Sequence, residues 1–297
     1  MILKQALAAA ISYLDDSAVG SPRMNGEVLL MFTLGCDRAY LYAHPERELT
    51  EDEFQRYADA IARRASGYPS QYITGHQEFW GLDLIVTPAV LIPRPETEHI
   101  VEVVTEIARS ADYKGETGRP KLIDVGTGSG AIALALGKEL PKAEVMAVDV
   151  SSEALEVARA NAVRLQLDAR IRFQQSNVLE SITRDGSFDF VVSNPPYVGL
   201  NEADKVQDVV KKYEPKVAVF AGEHGLDIIH RLIPQAHEAL RPGGYLVMEI
   251  GYSMSEMVMS ILEGFGEVHA VPDLAGIPRV VVGRKAIHHR DTEAQSF

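Results

Sequence analysis

Residues 193–197 read Ser-Asn-Pro-Pro-Tyr, and these types in this order suit one task, the holding of a planar NH2 group. Proline has no N–H and a fixed φ, so the Pro195 carbonyl is aimed in one direction. The Asn194 side chain offers a second acceptor oxygen. Two acceptors converging on one point can hold both hydrogens of an NH2, and the Tyr197 ring can stack on the flat face of whatever carries it. An amide or aromatic amine nitrogen delocalises its lone pair and is a poor nucleophile. Gripping both N–H groups lets that nitrogen pyramidalise, points its lone pair at an electrophile and stabilises the positive charge that develops. A methyl group on a sulfonium is such an electrophile, and in-line attack on it needs orientation more than acid/base power.

Residues 124–130, Asp-Val-Gly-Thr-Gly-Ser-Gly, stand between an apolar strand pattern and a helical one. Glycines there let the backbone turn tightly and approach a ligand with no Cβ in the way. One strand later Asp149 closes the second β pattern, where a carboxylate can accept from both ribose hydroxyls. Together they point to a nucleoside-bearing cofactor in a doubly wound sheet. They do not choose among such cofactors: Gly126, Gly128 and Ala131 also satisfy the looser G-x-G-x-x-G/A pattern, which leaves NAD open at this point. No Gly-Lys-Ser/Thr triplet closes the loop, and Thr127 and Ala131 stand where the glycines of a G-x-S-x-G elbow belong. Phosphoryl transfer and serine hydrolysis therefore drop out.

The elements that must position these residues follow from periodicity. From residue 121 onward strand and helix patterns alternate, the signature of a parallel sheet covered on both faces. Strands are predicted over 121–125, 144–150, 170–174, 188–193, 245–250 and 280–282, and helices over 131–140, 152–165, 226–240 and 253–262, with a turn at 241–244. Ser151 or Ser152 is placed to cap the second of these helices. The first 70 or so residues read as short helices. Leu3, Leu7, Ile11 and Leu14 recur at helical spacing, and Thr50 with Glu53 forms a capping box before Phe54, Tyr57, Ala58, Ile61 and Ala65. Between the two regions, residues 78–86 are strand formers around Gly81, which predicts a β-hairpin with Phe79 and Trp80 in its core. The expected division is a helical domain over 1–71, a hairpin linker over 72–98, a sheet domain over 99–286 and a flexible tail over 287–297. Residues 115–120 read as a polar connector.

Composition excludes other classes. Of the 297 residues 46% are hydrophobic and 24% charged, which is globular. Lys plus Arg number 29 against 42 Asp plus Glu, a net charge of −13. So acidic a surface repels polyphosphate, and direct nucleic-acid binding by bulk charge is not expected. Cys36 is the single cysteine, so no intrachain disulfide forms. No apolar run approaches the ~20 residues of a membrane helix, and a cytoplasmic protein is expected. The histidines, His44, His76, His99, His224, His230, His237 and His269 among them, share no ligand spacing, and no metal site is expected.

Taken together, the chain resembles the S-adenosylmethionine-dependent amino-methyltransferases and, more narrowly, the release factor glutamine methyltransferases, the PrmC/HemK family. The resemblance runs from about Tyr72 to Gly283. Its blocks include Val90 to Glu98 (Val-Leu-Ile-Pro-Arg-Pro-Glu-Thr-Glu), the glycine loop, the Asn194 tetrapeptide, Tyr213-Glu214-Pro215, Glu249-Ile250-Gly251 and Gly276-Ile277-Pro278-Arg279. It implies a doubly wound, Rossmann-like class I methyltransferase sheet with a small N-terminal helical domain and a bridging β-hairpin. The implied reaction moves a methyl group from S-adenosyl-L-methionine to the side-chain amide nitrogen (N5) of the glutamine in the Gly-Gly-Gln tip of class I peptide chain release factors, leaving S-adenosyl-L-homocysteine.

Carried onto this chain, the resemblance has Gly126, Thr127, Gly128, Ser129 and Gly130 embrace the methionine moiety and Asp149 the ribose. Asn177 and Val178 flank the adenine, at positions where the family often carries Asp and a larger side chain. Asn194, Pro195, Pro196 and Tyr197 grip the target amide, with Asn194 also near the methyl donor, while Arg94 and Glu96 brace the site. The helical domain is expected to recognise the body of the release factor while the hairpin positions its tip.

Three other readings share parts of this pattern. An N6-adenine nucleic-acid methyltransferase uses the same tetrapeptide, but normally with a basic target-recognition region. A methyltransferase acting on a glutamine of a ribosomal protein tends to read Pro-Arg-Ser-Pro where this chain has Pro-Arg-Pro-Glu. A dehydrogenase or a non-catalytic binding protein on the same scaffold has no use for an intact Asn194 to Tyr197.

Overall fold

The computed structural model describes residues 1–110, 113 and 118–287. The expected tail from residue 288 onward, and residues 115–117 of the expected connector, lie outside the described residues. Packing divides the chain into two compact units. One is Met1–His76 with Gln207–Tyr213, the other Gln77–Val206 with Glu214–Phe297.

The first unit is helical, built from Leu3–Asp16, Pro22–Leu34, Arg38–Ala43, Glu51–Ala65 and Ser70–Thr74, with Asp208–Tyr213 joining them from far along the chain. Leu3, Ala6, Ala10 and Leu14 form the buried stripe of the first helix. Leu7 and Ile11, expected at its centre, are half-buried at its edge, where a Cβ on Gly26 would lie 3.3 Å from Leu7 Cδ1. The missing side chain at Gly26 lets the first two helices approach closely. Tyr57 donates to the Gly26 carbonyl at 3.0 Å, closing the same contact from the fourth helix. The capping box is present, with Glu53 N–H on Thr50 Oγ1 at 3.2 Å and Thr50 N–H on Glu53 Oε2 at 3.0 Å. Tyr213 meets the Tyr68 ring edge-on at 5.0 Å and donates to the Ser66 carbonyl.

The hairpin β1 (His76–Phe79) and β2 (Leu82–Ile85) follows, and from Gln77 onward it belongs to the second unit. Phe79, Leu82 and Leu84 are buried with Ile100, Val104 and Leu134 of the helices beside it. β3 (Lys121–Val125), β4 (Glu144–Asp149), β5 (Ile171–Gln175), β6 (Phe188–Ser193), β7 (Leu240–Glu249), β8 (Phe265–Pro272) and β9 (Pro278–Lys285) form, among the described residues, one seven-stranded sheet in the order β5-β4-β3-β6-β7-β9-β8. β3 to β7 run parallel. The chain winds outward from β3 to β5, then returns to lay β6 on the other side of β3. That reversal is the switch point of a doubly wound sheet, and it opens a crevice at the carboxyl ends of β3 and β6.

Three details depart from expectation. The far edge is antiparallel, because β8 and β9 form a hairpin and β9 runs against β7. β8 carries Gly266, Glu267 and His269 and is largely exposed, so it has little of the apolar pattern that marks a buried strand. Residues 241–244 are part of β7, with Gly243 at φ +78° and a register shift opposite Phe188–Phe190. The last helix is shorter than expected, Ser255–Ser260. Among the described residues no helix is long and apolar enough to cross a membrane.

Candidate active site

Val125 at the end of β3 lies opposite Ser193 at the end of β6, and Ser193 Oγ donates to the Val125 carbonyl at 2.7 Å. The glycine loop and the Asn194 tetrapeptide therefore leave the sheet side by side. Gly126, Gly128 and Gly130 all have positive φ, +74°, +56° and +85°, which side chains with a Cβ rarely adopt. A Cβ on Gly126 or Gly128 would meet nothing within 4 Å, whereas one on Gly130 would sit 3.0 Å from Leu134 Cδ1 and 3.3 Å from Ala158 Cβ. The first two glycines keep space open, and the third lets the helix Ala131–Glu139 pack against its neighbour.

Buried polar side chains hold this loop. Asp124 is 1% exposed; its Oδ2 accepts from Thr127 Oγ1 at 2.6 Å and Ala133 N–H at 3.1 Å, while Oδ1 has no partner. Burial pushes its carboxyl up to about 7, against the pull of those two hydrogen bonds. Asp149 accepts from Gly128 N–H at Oδ2 and Ser151 N–H at Oδ1, both at 2.9 Å, and burial likewise raises its pKa. Asn161, fully buried on the helix Ser152–Arg164, donates to the Ser129 carbonyl at 2.9 Å.

A cavity of about 310 Å³ lies over these strand ends. Gly126, Thr127, Gly128, Ser129, Asp149, Asn177 and Val178 line it. Asn194, Pro195, Pro196, Thr97 and Arg94 also line it. Gly130, Tyr197 and Glu96, named from the sequence, are not in its lining. Gly130 starts a helix, and Tyr197 packs its ring on the apolar core and donates its hydroxyl to Glu249 Oε1 at 3.1 Å. Burial, then the Glu249 charge, drives the Tyr197 pKa well upward. Val178 has φ +55°, an unusual conformation for a β-branched residue. Arg94 pairs with the buried Glu214 carboxylate, which also accepts from Ile92 N–H at 3.2 Å, so Glu214 holds both the Ile92 backbone and the Arg94 side chain.

Sequence reasoning gave no role to Thr97, Glu214, Asn161 or Glu249. Thr97 donates to Glu249 Oε2 at 2.6 Å and accepts from Asn194 Nδ2 at 3.0 Å. Thr97 and Glu249 each stood inside a recognised block, yet 152 residues separate them, and no local pattern pairs them. Among the described residues no cluster of three or more His, Cys, Asp or Glu is placed to hold a metal ion.

The family described as the PrmC N-terminal domain matches residues 5–75, and the methyltransferase domain family matches residues 118–290. The chain is 56% identical over 285 residues to the release factor glutamine methyltransferase of Koribacter versatilis, covering 96% of this chain and 99% of that one. The chain belongs to the release factor glutamine methyltransferase family. A second relative of the same name, from Moorella thermoacetica, is 43% identical, covering 94% of this chain and 97% of the other. A methyltransferase from Pyrococcus furiosus shares the fold, with a TM-score of 0.50 at 20% identity over 78% of this chain and 99% of that one. In this release factor glutamine methyltransferase family member the cavity described above is lined by residues of the matched methyltransferase domain together with residues 89–97 before it, on the doubly wound sheet that the glycine loop implied.

Proposed function

We propose that the chain transfers a methyl group from S-adenosyl-L-methionine to the side-chain amide nitrogen (N5) of the glutamine in the Gly-Gly-Gln tip of class I peptide chain release factors, with S-adenosyl-L-homocysteine as the other product. The observation that carries this reading is the presence of Asn194 and Pro195 in the lining of the same 310 Å³ cavity as the glycine loop and Asp149, in a chain of this family.

The residues present fit the cofactor. Gly126 and Gly128 leave room where any side chain would intrude, and the buried Ser129 Oγ has no protein partner. Residues 126–130 would hold the methionine moiety, and Asp149, at the carboxyl end of β4, has lone pairs left for ribose hydroxyls. Asn177 and Val178 would flank the adenine. When bound, the cofactor supplies a methyl group on a positively charged sulfur.

The protein's own part is orientation. The Pro195 carbonyl and Asn194 Oδ1 accept the two N–H bonds of the glutamine amide, and Pro196 keeps the first of these aimed by restricting the backbone. As the nitrogen gains its methyl carbon and becomes positive, the same two oxygens stabilise the charge, and one proton passes to water. Tyr197 supports the grip from behind through Glu249. The helical unit would recognise the body of the release factor. Met24 and Phe32, half-exposed on the helix Pro22–Leu34, offer it apolar contacts.

Mass spectrometry of a Gly-Gly-Gln-bearing release factor, incubated with protein and cofactor, tests the reading. One added methyl on the glutamine peptide is expected. Methyl transfer to an adenine oligonucleotide, with the glutamine left unchanged, would overturn it.

A further inference from the structure

Four side chains form one hydrogen-bonded chain that starts at Asn194 and Thr97 in the cavity lining and continues to Glu249 and Tyr197, which are outside that lining. Tyr197 donates its hydroxyl to Glu249 Oε1 at 3.1 Å, Thr97 donates to Glu249 Oε2 at 2.6 Å, and Asn194 Nδ2 donates to Thr97 Oγ1 at 3.0 Å. Glu249 and Thr97 are 3% and 4% exposed, so water does not compete for these bonds. They come from three places: Glu249 ends β7, Thr97 ends the one-turn helix Pro95–Thr97, and Asn194 follows β6.

With Glu249 ionised, the directions in this chain are forced. An ionised carboxylate has no proton to give, so both hydroxyls must donate to Glu249. Thr97 has one hydroxyl proton, and once it is committed to Glu249 the remaining lone pairs only accept. The atom of Asn194 that faces Thr97 must then be the NH2. Because a carboxamide is planar with its oxygen and nitrogen on opposite sides, the Asn194 oxygen is turned away from Thr97. An unanchored carboxamide rotates freely and shows its NH2 instead, a donor facing a donor.

We propose that Glu249, acting through Thr97, locks the Asn194 side chain with its oxygen toward the cavity, so that the site takes an NH2-bearing carboxamide and rejects the isosteric carboxylate. The proposal rests on the amide-methylation reading above and makes Thr97 and Glu249 positioning residues. Two acceptor oxygens held over a carboxylate would leave a buried charge facing lone pairs with no proton between them. Sites built this way discriminate strongly, because the mismatched partner leaves buried polar groups unpaired.

The test compares the full chain with Thr97→Ser, Thr97→Val and Glu249→Gln. It measures methyl transfer to a release factor, cofactor affinity by calorimetry, thermal melting, and the 15N–1H signals of the Asn194 side-chain amide. Thr97→Val is expected to lower kcat about 10- to 100-fold, with cofactor affinity within about twofold. Thr97→Ser should restore most of the rate, since it keeps the hydroxyl. In Glu249→Gln the new NH2 can face Thr97, turning its proton toward Asn194, so a similar loss is expected. Hydrogen exchange of the Asn194 NH2 should speed up in Thr97→Val and Glu249→Gln but not in Thr97→Ser. Wild-type kcat in Thr97→Val, a Thr97→Ser protein as slow as Thr97→Val, or unchanged exchange of the Asn194 NH2 would each overturn the proposal. Should Thr97→Val fail to fold, the exchange and rate comparison of Glu249→Gln with Thr97→Ser decides it alone. A wild-type protein that leaves the glutamine unmethylated would instead sink the amide-methylation reading, while the exchange data still decide how Asn194 is held.

Discussion

Asn161 grips Ile85 at both backbone polar groups, accepting its N–H at 2.7 Å and donating to its C=O at 2.9 Å. A side-chain amide thus does for the end of β2 what a neighbouring strand would do, and its second N–H reaches the Ser129 carbonyl in the glycine loop. Replacing Asn161 by Ala removes the side-chain partner of three backbone groups, the buried Ser129 carbonyl and the part-buried N–H and C=O of Ile85. A loss of about 3 kcal/mol of unfolding free energy is expected, read by urea denaturation. Asn161→Asp should lose at least as much, because it keeps the acceptor and loses both donors.

Asp124 makes stability depend on pH. Its carboxyl is pushed by burial from 3.8 to about 7, so the folded protein holds a proton that the unfolded chain releases. The stabilisation is complete below about pH 4 and is lost as pH rises through about 7. Relative to Asp124→Asn, the wild-type protein should weaken across that window by about 1.4 kcal/mol per pH unit at most and then level off. Urea midpoints for the two proteins at a series of pH values measure this, and parallel curves would refute it.

The loop glycines should fail in different ways. Gly128→Ala forces a left-handed conformation costing about 1 kcal/mol and places a methyl in open cavity space. Cofactor affinity should fall more than melting temperature. Gly130→Ala also drives a methyl to 3.0 Å from Leu134 Cδ1, so its melting temperature should fall further. Calorimetry and melting curves on the two variants separate these outcomes.

Activity should show an acid limb set by Glu249. Burial is the largest influence on this carboxyl and raises its pKa; the nearby Glu96 charge adds to the rise, while the Thr97 and Tyr197 hydrogen bonds and the Arg279 charge oppose it. Once protonated, Glu249 no longer accepts from both hydroxyls, and the hold on Asn194 is lost. The kcat profile should therefore fall at a pH above the usual carboxylate range, and Glu249→Gln should lack that limb. A fall confined to the ordinary carboxylate range in both proteins would count against it.

Recognition of the release factor should reside in the helical unit. Phe32, 50% exposed on the helix Pro22–Leu34, is free to meet a partner. Phe32→Ser is expected to raise KM for an intact release factor severalfold, the effect of losing about 1 kcal/mol of apolar contact. Cofactor affinity should stay the same. Steady-state kinetics with varied release factor checks this, and an unchanged KM would place recognition elsewhere.

The candidate site residues stand in short consecutive stretches of the sequence. A proline without an N–H and three glycines at positive φ act through their own backbone, and a carboxylate is placed by the strand it closes, so a local reading finds them. The alternation from residue 121 onward likewise named the doubly wound sheet, since burial on both faces writes itself into apolar strands. What tertiary structure alone decided is which distant groups meet. The sheet order brings β6 beside β3 and so sets Asn194 against the glycine loop. Folding carries Thr97 to Glu249 across 152 positions and Asn161 to Ile85 across 76. Hydrogen-bond partners so far apart leave no periodicity. They are selected because a buried polar atom must find a partner in whatever the fold brings near, and that is fixed only once the whole sheet has closed.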